Sequence, residues 1–132
     1  MPEINALDMF GDSINCKNIL NPGMNTAIFF FSPECDACRK EINDILQFRN
    51  DFRNTQWLFI TIAQYEELDR FLNQYPIHLL SGAFLLREDY PINHMLFNVS
   101  VPPALFVYDK KGKLITMHKG EILIQSIIKD FV

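Results

Sequence analysis

The chain has 132 residues, 48% of them apolar and twelve of them Phe, enough for one domain that buries roughly two thirds of its unfolded surface. Its formal charge is −4, and no basic run exceeds the pairs Arg39-Lys40 and Lys110-Lys111, which argues against a nucleic-acid partner. No stretch approaches the ~20 apolar residues that span a bilayer, and three cysteines do not make a disulfide scaffold.

The segment from Asn5 to Asn15, broken by Gly11-Asp12, reads as a short leading hairpin, and Lys17 to Leu20 as a helical turn before Asn21-Pro22-Gly23. Thr26 to Phe31 is apolar almost throughout, as a strand covered on both faces would be. Ser32-Pro33-Glu34 is a turn, and Asp36 to Asn50 a helix with apolar positions at Ile42, Ile45 and Leu46. Gln56 to Ala63 is a second buried strand, so strand, helix and strand form a right-handed βαβ unit. Leu68, Phe71, Leu72 and Tyr75 mark an amphipathic helix that Pro76 ends.

Phe84 to Leu86 reads as a short strand, and Ile92 to Asn98 as a short helix carrying Met95, Leu96 and Phe97 toward the core. Ala104 to Tyr108, the turn Asp109-Lys110-Lys111-Gly112 and Lys113 to Met117 form a β-hairpin. Ile124, Ile127, Ile128 and Phe131 predict a closing amphipathic helix. The elements add up to an α/β fold, a three-layer α/β/α sandwich with a mixed central sheet, over a single domain 1–132.

Cys35-Asp36-Ala37-Cys38 sits where this plan turns from a buried strand into a helix. At the helix N-terminus, unpaired N–H groups and the positive end of the dipole stabilise a thiolate at Cys35, the nucleophile of thiol–disulfide exchange. Cys38, one turn on, is placed to resolve a mixed disulfide. The same spacing supplies half of a tetrahedral zinc site, but Cys16, His78, His94 and His118 are scattered and complete none. Cys16 itself reads as a buried free thiol.

Three stretches, in this order and spacing, resemble the thioredoxin superfamily, with greatest similarity to the TlpA/ResA-like bacterial envelope thioredoxins. They are Phe29 to Glu41, Val101-Pro102-Pro103-Ala104, and Tyr108 to Leu114. The resemblance implies a cis proline beside the Cys-x-x-Cys. Counting back from Asp109 and Gly112 favours Pro103, with its cis bond at Pro102–Pro103, and Pro102 is the fallback. In related proteins the residue before this proline pairs its main chain with the substrate; here it is Pro102, which has no N–H to give. Pro102 and Pro103, with Pro33 and Glu34 ahead of Cys35, are the implied substrate contacts. The resemblance also implies a carboxylate three residues after the second cysteine. Here that is Glu41, which shares a helix face with Cys38 and is assigned the transfer of its proton. Many thioredoxins keep a buried Asp in the strand instead, at the place held by Phe29.

The expected activity is therefore that of a thiol–disulfide oxidoreductase with Cys35, Cys38 and Glu41 catalytic, needing no cofactor or metal. A disulfide-bonded protein is the expected substrate, an electron donor the second partner, and a monomer the expected state. The resemblance implies the cell envelope if a leading segment has been removed; a native start at Met1 implies the cytoplasm. Glu34 and Asp36 flank Cys35 and disfavour its thiolate, and the Trp and Gly-Pro usual around such a site are absent, which points to a reducing exchanger with a dedicated partner. A peroxidase would need Pro-x-x-x-Thr-x-x-Cys, and Ile28 and Ser32 stand there instead. A copper carrier would need His94 or His118 to join cysteines of unusual spacing. The remaining alternative is a binding module whose cysteines do no chemistry.

Overall fold

Among the described residues seven strands form one mixed sheet in the order β2-β1-β5-β4-β3-β6-β7. They are β1 Asn5–Leu7, β2 Ser13–Asn15, β3 Asn25–Phe30, β4 Thr55–Thr61, β5 Ala83–Arg87, β6 Ala104–Tyr108 and β7 Leu114–Lys119. The structure, a computed structural model, describes residues 1–52 and 54–131. The central strands β3, β4 and β5 run parallel, while β6 and β7 on one side and β1 and β2 on the other are antiparallel. Three α-helices connect them: α1 Asp36–Gln47, α2 Tyr65–Gln74 and α3 Ile92–Leu96. Among the described residues no helix is long and apolar enough to cross a membrane.

The apolar runs become the middle of the sheet because both of its faces are covered. From β3, Ala27 and Phe29 point into one core with Trp57 and Phe59 of β4, Leu105 and Val107 of β6, and Ile42 and Ile45 of α1. Ile28 and Phe30 point the other way, toward Leu58, Ile60, Leu86, Phe97 and Phe106. Two successive right-handed crossovers, β3-α1-β4 and β4-α2-β5, advance in the same direction and so set α1 and α2 on the same face. Among the described residues the opposite face carries α3, the 3₁₀ turn Cys16–Asn18 and the residues around Phe97 and Val99, making that outer layer the thinner one.

Several expected boundaries move. The helix after the cysteines stops at Gln47 rather than Asn50; the Phe48 N–H still bonds to Asp44, and Arg49–Asp51 then tightens into a 3₁₀ turn. The closing helix is 3₁₀ as well, over Ile124–Phe131. With three residues per turn, Ile124 and Ile127 eclipse each other and are the ones buried; the inward placement expected of the Phe131 side chain lies outside the described residues.

The larger correction concerns α3. Met95 and Leu96, expected in the core, are 73% and 54% exposed, whereas Asn93 and His94 are buried. Glu88 is the reason. Its carboxylate accepts the N–H and side-chain amide of Asn93 and the N–H of His94, and lies 2.6 Å from His94 Nδ1. Asn93 also donates to the Asn5 carbonyl at 2.8 Å. A polar face whose groups are all partnered can be buried, and the apolar face then turns outward.

Candidate active site

Cys35 leaves β3 through Ser32-Pro33-Glu34 and becomes the N-cap of α1, with extended backbone and its own N–H bonded to the Ser32 carbonyl. Its sulfur accepts the Cys38 N–H at 3.1 Å, taking the capping place usually held by a Ser or Asp oxygen. The strand sets the position and the helix supplies the field, so the half-buried Cys35 sulfur sits at the positive end of α1.

Cys38 is fully buried. Burial, its bond with the Cys35 thiol and the nearby charge of Glu41 hold its thiol well above the ordinary thiol range. Both cysteines are free thiols. The pair is therefore asymmetric, with one accessible thiol at a helix terminus and one shielded thiol behind it.

Across from them, the Pro102–Pro103 peptide bond is cis, and the Pro102 carbonyl oxygen lies 3.8 Å from Cys35 Sγ. Pro103 is buried and Pro102 half-buried, so Pro102 presents the more accessible edge of this loop. Pro33 is buried while Glu34 is exposed. Together with Arg39 they form one wall of a groove of about 260 Å³ whose other wall is Glu67, Phe71 and Tyr75.

Glu41 is 1% exposed. Oε1 accepts the Ile122 N–H at 2.7 Å, and Oε2 is buried with no partner among the described residues. Burial pushes its pKa from an ordinary 4.5 up to about 7, against the opposing pull of the Ile122 N–H, which favours the charged form. The folded state therefore holds this proton where the unfolded chain has already released it. That stability is present in full below about pH 4.5 and is lost as pH rises through about 7, amounting to about 3 kcal/mol. Glu41→Gln is expected to flatten this decline, seen as urea-unfolding free energies of mutant and wild type that converge or cross between pH 5 and pH 8. A constant difference between the two would mean that the carboxyl is not shielded.

Charge around Cys35 departs from a simple sum over its neighbours in sequence. The Asp36 carboxylate is held by the Arg39 guanidinium, whose other amino group donates to the Pro33 carbonyl at 3.0 Å. The guanidinium thus offsets the Asp36 carboxylate and stitches the turn to the helix. Glu34 meets Glu67, a residue that nothing in the sequence singled out. Burial and then the Glu34 charge raise the Glu67 pKa above its ordinary value.

The other candidates are spread elsewhere. Burial pushes the Cys16 thiol up to about 12. His94 pairs with Glu88, and His118 Nε2 lies 3.1 Å from Thr116 Oγ1 on β7. Among the described residues no three His, Cys, Asp or Glu side chains are grouped to hold a metal ion. Sequence reasoning missed the Gly120 and Ile122 main-chain N–H groups. Backbone donors carry no residue-type signal, although a glycine shortly before the last helix marks the bend that aims them.

No family model matches the sequence, and no curated protein matches it. Solved structures do resemble it in fold. DsbF of Mycobacterium tuberculosis superposes with a TM-score of 0.79 at 18% identity, over 97% of this chain and 92% of that one. A secreted M. tuberculosis disulfide oxidoreductase homologous to E. coli DsbE gives 0.79 at 16% identity, over 97% and 93%. StoA from Bacillus subtilis gives 0.72 at 14% identity, over 98% and 96%. The fold is thioredoxin-like.

Proposed function

We propose that this thioredoxin-like domain is a thiol–disulfide oxidoreductase that reduces disulfides in proteins. The observation that carries the reading is the Cys35 sulfur capping α1, with the buried Cys38 thiol behind it and the proline loop in front. The likeness in fold to a protein described as a disulfide oxidoreductase supports it.

In this reading the Cys35 thiolate attacks one sulfur of a substrate disulfide, forming a mixed disulfide and releasing the other sulfur as a thiolate. Cys38 then attacks Cys35 and gives up its proton to Glu41 as the new bond forms. The substrate leaves with both thiols, and its two electrons have come from the Cys35–Cys38 pair, which ends as a disulfide and needs a thiol donor to be reduced again. A carboxyl titrating at about 7 is evenly divided between acid and base near neutral pH, the balance a proton carrier requires. Pro102, with no N–H, receives the substrate through its carbonyl and ring, and Pro33 and Glu34 bound the approach on the other side.

The direction is reduction, because a strong oxidant of this kind stabilises its thiolate heavily and Cys35 Sγ accepts one main-chain N–H among the described residues. Equilibration with glutathione is expected to give a potential more negative than about −180 mV, and a value near roughly −120 mV would overturn the direction. Insulin-disulfide reduction tests the function itself: activity no greater than that of Cys35→Ser would favour a binding module.

A further inference from the structure

Between β7 and the C-terminal helix, residues 120–123 cross over the buried end of the site and make two main-chain bonds there. The Gly120 N–H donates to the Pro103 carbonyl at 2.8 Å, and the Ile122 N–H donates to Glu41 Oε1 at 2.7 Å. Lys40 Nζ lies 3.5 Å from Glu121 Oε1, tying the same strap to α1, and just before it Lys119 donates to the Asn98 carbonyl at 2.8 Å. Gly120 turns the chain at a φ of +93°, where a Cβ would meet nothing within 4 Å, so the left-handed backbone alone calls for glycine.

We propose that the strap 120–123 is a positioning element for Glu41. The Ile122 N–H anchors one carboxyl oxygen, and the Gly120 N–H locks the strap to the loop that faces Cys35. The inference rests on Glu41 as the proton carrier of the reaction proposed above.

The anchor has two physical consequences. With Oε1 committed to an N–H donor, the proton resides on Oε2, the buried oxygen with no partner among the described residues. The carboxyl also cannot rotate without breaking its bond to the strap, so the acidic oxygen keeps one orientation on the helix face it shares with Cys38. The charged and titratable groups around it are Lys40, Asp44 and the Cys38 thiol on α1 and Glu121 on the strap itself. Of these, Glu121 and Asp44 oppose the carboxylate and Lys40 favours it, and among the described residues the Ile122 N–H is the only direct donor to it. Because Pro103 and Glu41 hold the strap at points two residues apart, the strap ties the proline loop to the proton carrier.

The experiment follows the Glu41 carboxyl directly, by its ¹³C chemical shift against pH in the 132-residue chain. The donor is removed by Ile122→Pro or, with no change of side chain, by replacing the amide at residue 122 with an ester; the ester serves if the proline variant does not fold. Losing a hydrogen bond to the charged form is expected to raise the titration midpoint by half a pH unit or more, about threefold in the acid constant. Ile122→Val, which keeps the N–H, is expected to leave the midpoint in place. Gly120→Ala is expected to raise it too, although a Cβ at residue 120 would meet nothing within 4 Å. An unmoved midpoint in the ester overturns the anchor, and an unmoved midpoint in Gly120→Ala overturns the link to the proline loop. The midpoint reports the strap alone, whereas the pH profile of disulfide turnover reports what Glu41 does. A moved midpoint with an unmoved profile would therefore refute Glu41 as proton carrier rather than the strap as its anchor.

Discussion

Cys35→Ser is expected to lower insulin-disulfide reduction by at least about a thousandfold, to the level of the uncatalysed reaction with the same reductant. A serine hydroxyl is not ionised near neutral pH and forms no bond equivalent to a mixed disulfide, so the first step is lost outright and not merely slowed. The fold should survive. Oxygen is a normal helix N-cap atom and can accept the Cys38 N–H that the sulfur now accepts at 3.1 Å, so the melting temperature should stay within a few degrees. Cys38→Ser should behave differently. Cys35 keeps its position and attacks, but the mixed disulfide has no internal thiol to resolve it and accumulates as a covalent adduct detectable by intact mass. If Cys35→Ser retains activity, or if Cys38→Ser turns over without an adduct, the assignment of attacking and resolving sulfurs is wrong.

Phe59→Ala should destabilise the fold by about 3–5 kcal/mol. Phe59 is 1% exposed on the central strand β4. Its ring lies 5.8 Å from that of Phe29, 6.3 Å from Phe31 and 5.7 Å from Trp57. Removing it opens a void between the sheet and α1 that rings held from three directions cannot fill by small shifts. The melting temperature should fall by roughly 10–15 °C for a domain of this size. Phe10→Ala provides the contrast. That ring is 90% exposed, and its loss should change stability by no more than about 0.5 kcal/mol. A Phe59→Ala cost below about 1.5 kcal/mol would mean that the aromatic core repacks freely.

The two results probe parts of the molecule that differed in how far the chain announced them. The core was legible in the unbroken apolar runs of β3 and β4, since only a strand covered on both faces carries Ala27 to Phe31 or Trp57 to Ile60 without a polar break. The place of Cys35 was legible because a strand, a turn and a helix in that order leave the first cysteine at a helix terminus. Glu41 was legible as a neighbour of Cys38 by helical spacing, but its burial was not. That depends on Ile122, 81 residues away in sequence.

The misreading of α3 has a physical cause of its own. A five-residue helix makes under one and a half turns, so its apolar residues do not define a face by periodicity. Which side is buried is then decided by the partners available. Glu88 and the Asn5 carbonyl satisfy Asn93 and His94, and Ile92, Met95 and Leu96 are left exposed.

The charge balance at Cys35 was hidden for a similar reason. Adjacency counts Glu34 and Asp36 against the thiolate, but a charge acts through space and is offset by whatever reaches it. The Arg39 side chain turns back onto Asp36, while Glu34 faces Glu67 of α2, a residue set beside it only by the crossover from β4.

Consecutive residues thus carried the mixed α/β plan and the place of Cys35 at a helix terminus, because strand and helix periods and helix-terminus chemistry are local properties, while the resemblance of three short stretches implied the thioredoxin-like form of that plan, the cis proline and Glu41. Only the tertiary structure decided how those residues are tuned. Desolvation of Cys38 and Glu41, the Ile122 N–H on the Glu41 carboxyl and the Gly120 N–H on the Pro103 carbonyl all come from segments brought together by packing. No local pattern in the chain encodes which buried group a distant backbone donor will meet.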